Sequence, residues 1–69
     1  MNKEDKKLLS YYKIGWNDCS NYNPRKIYNN ELIQKAYNQG YLDYLAGDIA
    51  INIDHKKEKD ILNKINRNC

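Results

Sequence analysis

A short motif occurs twice in this chain, and it constrains the fold more than any other feature. Tyr12-Lys13-Ile14-Gly15-Trp16-Asn17-Asp18 and Tyr37-Asn38-Gln39-Gly40-Tyr41-Leu42-Asp43 share the pattern Tyr-x-x-Gly-aromatic-x-Asp. The copies lie 25 residues apart, and the same offset pairs Leu8 with Ile33 and Cys19 with Tyr44. Leu8, Tyr12, Gly15 and Cys19 follow helical spacing, as do Ile33, Tyr37, Gly40 and Tyr44, so each copy draws one stripe down a helix. Leu9, Tyr11 and Trp16 widen the first stripe; Leu32, Ala36, Tyr41 and Leu45 widen the second.

A glycine inside a helix costs roughly 0.8–1 kcal/mol relative to alanine. Two glycines on apolar stripes therefore need a compensating gain. One reading is a close helix–helix contact built from Tyr12, Gly15, Tyr37 and Gly40, with an aromatic ring of the other helix over each glycine. The alternative is that each glycine bends or ends its helix.

End signals agree with two helices and add a third. Asn2 can cap the first, with Asp5 three residues on. The run Asn21-Tyr22-Asn23-Pro24 ends it, because proline cannot continue a helix and disfavours helix at the residue before. Asn29 or Asn30 can cap the second, and Gly47-Asp48 can stop it. Ile49-Ala50-Ile51-Asn52-Ile53 alternates too briefly for a confident element; it reads as a strand or, better, as an extended linker, since a lone strand has no partner. Asp54 can cap a helix whose apolar stripe is Ile61, Leu62 and Ile65 and whose remainder, Lys56, Lys57, Lys59, Lys64 and Arg67, is a basic surface. Such a short helix must dock on the hairpin or on another subunit. The expected fold is all-α: one domain over 1–69, with a helical hairpin of two repeat-related helices plus a short basic C-terminal helix. Its expected spans are helix 3–20, loop 21–29, helix 30–46, linker 47–53 and helix 54–67.

Size and composition narrow the function. A chain of 69 residues buries only about 60% of its unfolded surface, and small scaffolds gain stability from disulfides, metals or association. Cys19 and Cys69 cannot make a disulfide framework and read as reduced thiols. With His55 alone and no close cysteine pair, no metal site is expected. A homo-oligomer is then the expected source of extra burial. The charged start lacks a secretory apolar core, and no run approaches a membrane span, so a cytoplasmic protein without a membrane is expected. Many Asn, Lys, Ile and Tyr suggest an A/T-rich bacterial or phage genome. The net charge of +3 permits nucleic-acid contact without requiring it.

Catalytic groupings are scarce, and the chain reads as a non-enzyme without a cofactor. His55 at a basic helix start is expected to be solvated. Cys19 on the first stripe reads as a core thiol. Asp18 and Asp43 are repeat-related, whereas acid–base work needs two carboxylates in different surroundings; they are expected to face solvent or to bond a tyrosine hydroxyl or nearby backbone. Phosphate-cradling glycine loops are absent.

Aromatic residues are the informative class. Seven tyrosines and one tryptophan occur with no phenylalanine. Tyrosine suits places where one end is dry and the other finds a hydrogen bond, and it is common on binding surfaces. Tyr22 and Tyr28 flank Asn23-Pro24-Arg25-Lys26, where a ring can stack a base and a cation can meet a phosphate. The candidate binding residues are Trp16, Tyr22, Arg25, Lys26, Tyr28, Tyr41 and Tyr44.

Gly15-Trp16, Asn23-Pro24, and Leu32 through Ala36-Tyr37 to Gly40-Tyr41 resemble the ribosome modulation factor family and its short phage- and plasmid-borne relatives, over about residues 12–45. The resemblance implies two helices joined by an ordered linker, and contact with ribosomal RNA. The chain departs from that family in having only Arg25 and Arg67 as arginines and in adding a third helix. Three functions fit the sequence: a regulator that occludes a host macromolecule, either ribosome/RNA or protein; a phage anti-defence inhibitor; and an oligomeric sponge that holds a small nucleotide ligand.

Overall fold

A computed structural model describes residues 3–47 and 54–67, and these form three helices: α1 Lys3–Ser20, α2 Glu31–Leu45 and α3 His55–Arg67. Each helix boundary falls within one residue of its expected position. The Asn2 cap, the apolar run 49–53 and Cys69 lie outside the described residues.

Local chemistry sets the helix ends. At the start of α2, the Asn30 side chain accepts from the Leu32 and Ile33 amides in an N-cap. Gly47, at φ +88°, stops α2 by donating to the Tyr44 carbonyl. Asp54 caps α3 by accepting from the Lys57 amide at 2.8 Å. The end of α1 carries the same left-handed turn without a glycine. Asn23 N–H donates to the Asp18 carbonyl and Tyr22 N–H to the Cys19 carbonyl, with Tyr22 at φ +60°.

The repeat dictates how α1 and α2 pack. Leu8, Tyr12, Gly15 and Asp18 are buried on α1, and their equivalents Ile33, Tyr37, Gly40 and Asp43 are buried on α2. Both helices run unbroken through their glycines. A Cβ on Gly15 would lie 2.0 Å from the Tyr37 carbonyl oxygen, and one on Gly40 would lie 1.9 Å from that of Tyr12. The close approach is therefore backbone to backbone; a carbonyl, and not the expected ring, fills the space over each glycine. Each contact is the other with the repeat copies exchanged, which is the pattern of a two-fold interface within one chain.

Like ends of the two helices meet. Glu4 and Leu8 of α1 share a cavity with Leu32 and Ile33 of α2, while Trp16 meets Tyr44 at the other end. The arms of the hairpin thus point the same way, and residues 21–30 run back beside them. An 18-residue helix is about 27 Å long, and ten extended residues reach about 33–36 Å, so the return is feasible. We call residues 21–30 the strap.

The α3 helix docks on the hairpin. Ile61 and Ile65 are buried with Leu8, Leu9, Tyr12 and Ala36, and Leu62 packs beside them. Each isoleucine contributes about 1.5–3 kcal/mol by leaving water, which holds a helix too short to persist alone. Leu45 departs from expectation: it is 64% exposed. Its neighbour one turn earlier, Tyr41, is covered by the strap, whose contact there is the Asn23 carbonyl; Leu45 lies a turn beyond that cover.

Candidate functional site

Two buried carboxylates organise the centre of the molecule. Asp18 accepts from the Tyr37 hydroxyl at 2.6 Å and from the Asn23 side-chain amide at 3.4 Å, and the Lys26 ammonium lies 3.5 Å away. Asp43 accepts from the Tyr12 hydroxyl and, at 2.8 Å, from the Gln39 amide, with the Lys64 ammonium at 3.6 Å. Each site is a tyrosine, an amide and a lysine around one aspartate. The lysine comes from the strap in one case and from α3 in the other. Of the alternatives open in the sequence, the tyrosine-bonded one holds.

Electrostatics follow from these contacts. The Tyr37 hydroxyl, with help from Asn23 and Lys26, holds the Asp18 carboxyl below its usual range against the opposing effect of burial. Burial first, and donation to Asp18 second, push Tyr37 up to about 12. Every buried side-chain nitrogen or oxygen among the described residues has a partner. The two aspartates have matched surroundings and full hydrogen bonding, which makes them a clasp between helices and ill-suited to acid–base chemistry.

The strap is fastened along its length. Lys26 N–H donates to the Tyr37 hydroxyl at 3.0 Å. Gln34 takes both sides of the strap: its carbonyl accepts from Tyr28 N–H at 2.6 Å, and its amide donates to the Lys26 carbonyl at 3.2 Å. The Tyr41 hydroxyl donates to the Asn23 carbonyl at 3.2 Å. Rings continue the attachment. Tyr28 stands edge-on to Tyr11 at 5.1 Å and to Tyr37 at 5.4 Å, and Tyr41 follows Tyr37 at 6.3 Å. The Arg25 guanidinium lies 4.7 Å from the centre of the Tyr41 ring, within cation–π range. Gln34 was not singled out in the sequence; a lone glutamine on a helix carries no local signal for a contact with a distant loop.

The expected binding residues fall into three places. Tyr22, Arg25 and Lys26 are exposed on the strap, Tyr22 by 93%. Tyr28, on the strap, and Tyr41, beneath it, are half-buried. Trp16 and Tyr44 pack edge-to-face at 5.0 Å, half-buried, at the C-terminal ends of α1 and α2. Tyr12, Gly15, Tyr37 and Gly40 form the helix contact. On α3, Lys56 and Lys59 are exposed and Lys57 is half-buried, whereas Lys64, expected on the basic surface, turns to Asp43 because that carboxylate sits buried within reach.

Cys19 is buried and unpaired in a disulfide. Among the described residues no cluster of His, Cys, Asp or Glu is suited to a metal, and no helix is long and apolar enough to cross a membrane. No family model, no curated protein and no solved structure matches this chain.

Proposed function

We propose that the chain is a non-catalytic binding module that covers part of a host macromolecule, that the strap is its contact surface, and that single-stranded RNA is the partner. Tyr22 carries this reading. Its backbone is left-handed and its ring is 93% exposed. The left-handed conformation costs a non-glycine residue roughly 1–2 kcal/mol, and this is the helix-terminal position where glycine is usual. A ring that buries almost nothing returns none of that cost to folding. A strained residue held by a well-fastened segment points to a role outside the fold.

The neighbours of Tyr22 supply the matching chemistry. The Arg25 guanidinium lies over the Tyr41 ring, and the half-exposed Lys26 ammonium, 3.5 Å from Asp18, stands on the same segment. A free aromatic face beside fixed cations suits stacked bases and phosphates, in keeping with the resemblance to the ribosome modulation factor family. Residues 19–30 contain no acid, so nothing on the strap opposes an anionic strand.

Fluorescence anisotropy with a short labelled single-stranded RNA tests the reading, with co-sedimentation on bacterial ribosomes as a second measurement. Two phosphate contacts, at Arg25 and Lys26, would weaken binding about sevenfold between 50 and 200 mM salt. Tyr22→Ser would weaken it about tenfold by removing one stacked base. Affinity that is insensitive to salt, or equal in wild type and Tyr22→Ser, overturns RNA as the partner.

A further inference from the structure

Helix α1 turns one side to solvent along most of its length. Lys6, Ser10, Lys13 and Asn17 are all exposed, and they stand at i, i+4, i+7 and i+11, the spacing of one row down a helix. Each lies two residues before a member of the buried stripe of Leu8, Tyr12, Gly15 and Cys19, which puts the row on the far side of the helix. Asn21 continues the row, because its N–H donates to the Asn17 carbonyl at 3.0 Å in the helical pattern. Tyr22, the exposed ring of the strap, comes next.

The fold makes no use of the two lysines in this row. A cation on a helix surface adds stability through an acid three or four residues away, and neither Lys6 nor Lys13 has an acid at either spacing, before or after it. Among the described residues, no carboxylate lies within ion-pair distance of either ammonium. The acids of α1 are elsewhere: Asp18 is buried, Asp5 is half-buried, and Glu4 lines the cavity beside α2. Glu4 and Asp5 offset Lys3 and Lys7 in the same turns, so the surplus charge of the helix surface is that of Lys6 and Lys13. The internal repeat does not extend to this row. Its counterpart on α2 is Glu31, Lys35, Asn38 and Leu42, which opens with an acid and closes with a leucine, so packing of the hairpin does not dictate what stands here.

We propose that this row continues the RNA site: the single strand that stacks on Tyr22 runs on along α1, past Asn21 and Asn17, and meets Lys13 and Lys6 with its phosphates. The inference rests on the strap reading and adds a path and a length to it. From Tyr22 to Lys26 the strap spans at most about 14 Å, room for about four nucleotides at about 3.4 Å each. From Tyr22 back to Lys6 is about 24 Å along the helix, room for about seven more. Lys13 and Lys6 are about 10.5 Å apart along the axis, a spacing of about three nucleotides. The side-chain amides of Asn17 and Asn21 can donate to the phosphate and sugar oxygens nearer Tyr22. Charge complementarity selects this occupant: the path from Lys6 through Tyr22 to Lys26 carries four cations, and its one acid, Asp18, is buried and already bonded.

Fluorescence anisotropy with labelled single-stranded RNAs of five and twelve nucleotides tests the path. The shorter strand covers the strap alone and should lose about sevenfold in affinity between 50 and 200 mM salt, whereas the longer one, with four phosphate contacts, should lose about fiftyfold. Combining Lys6→Gln with Lys13→Gln should return the longer strand to about sevenfold and leave the shorter one unchanged. Both positions are exposed, so circular dichroism and urea melts of this variant should match the wild type. Lys35→Gln, on the row of α2 that faces the opposite side of the pair, should keep the fiftyfold response. Equal salt responses for the two strand lengths, a double variant that keeps the wild-type response, or a matching loss in Lys35→Gln would each overturn the path along α1. Tyr22→Ser separates the two readings: it should weaken the longer strand about tenfold without altering its salt response. Absence of binding by both strands would overturn the strap reading and this one with it.

Discussion

Replacing Gly15 with alanine is the most direct test of how the helices meet. In an ordinary exposed helix this change stabilises by roughly 0.8–1 kcal/mol, because alanine loses less backbone freedom on folding. Here the new methyl group would sit 2.0 Å from the Tyr37 carbonyl oxygen and 2.9 Å from its carbon. Ordinary contact requires the two backbones to part by more than about 1 Å. A flexible side chain could swing away, but a helical carbonyl moves only with its helix. Overpacking of this kind costs about 1–3 kcal/mol where side chains absorb it, and a rigid obstacle puts the cost at the upper end. Parting the helices also stretches the Tyr37–Asp18 and Tyr12–Asp43 bonds, each of a type contributing about 1.5–3 kcal/mol. The expected net result is destabilisation by about 2 kcal/mol or more, which lowers Tm by at least about 8 °C in a domain of this size. Urea titration and thermal melts measure it, with Ser10→Ala, on an exposed turn of the same helix, as a control expected within about 0.5 kcal/mol of wild type. Gly40→Ala should behave like Gly15→Ala. The double variant should cost less than the sum, because the first methyl opens the gap that the second needs. If Gly15→Ala instead stabilised the protein by about 1 kcal/mol, the backbone contact would not exist.

Further outcomes follow from the clasp and the strap. Asp18 is depressed from 3.8, so its contribution is present above the unfolded value and is lost as pH falls through the lower folded one; Tyr37→Phe should flatten that acid-side loss in pH-dependent urea melts. Tyr37 is raised from 10.0 to about 12, so its contribution is complete below pH 10 and is lost as pH rises towards 12. Tyrosinate absorbance should show a component titrating well after the exposed tyrosines, reduced in Tyr37→Phe. Tyr22→Gly should raise stability by about 1 kcal/mol through relief of the left-handed tyrosine, while weakening RNA binding as Tyr22→Ser does.

Much of this architecture is legible in the residue order because the repeat encodes it locally. The spacing of Leu8, Tyr12 and Gly15, echoed by Ile33, Tyr37 and Gly40, marks both buried faces. Asn30, Gly47 and Asp54 mark helix ends by chemistry that acts within a few residues. What could not be read involves partners far apart in sequence. Nothing near Lys64 announces Asp43, and nothing near Gln34 announces the strap. The shared direction of the two helices was also hidden, because stripe periodicity is the same for either direction; the loop's length permits a return but does not require it. Tyr22 was legible as a candidate contact but not as a left-handed residue, since that position normally reveals itself through glycine.

The repeat also accounts for the chain's preference for tyrosine over phenylalanine at its centre. Tyr12 and Tyr37 are fully buried, and a phenylalanine would fill nearly the same volume. It would leave each aspartate, buried against the facing helix, with only its amide and lysine partners, and taking a donor from a buried carboxylate is costly. Conversely, removing the aspartates would take from each buried hydroxyl the acceptor for its proton. Glycine, tyrosine and aspartate therefore hold one another in place: the glycine admits the backbone that carries the tyrosine, and the tyrosine reaches the aspartate one turn beyond the glycine. Two copies close the contact on itself, so neither helix offers an unfinished clasp to solvent. The strap is then fastened to a rigid pair through Tyr37, Gln34 and Tyr41. That rigidity is what allows Tyr22 to be held in a conformation its own backbone disfavours.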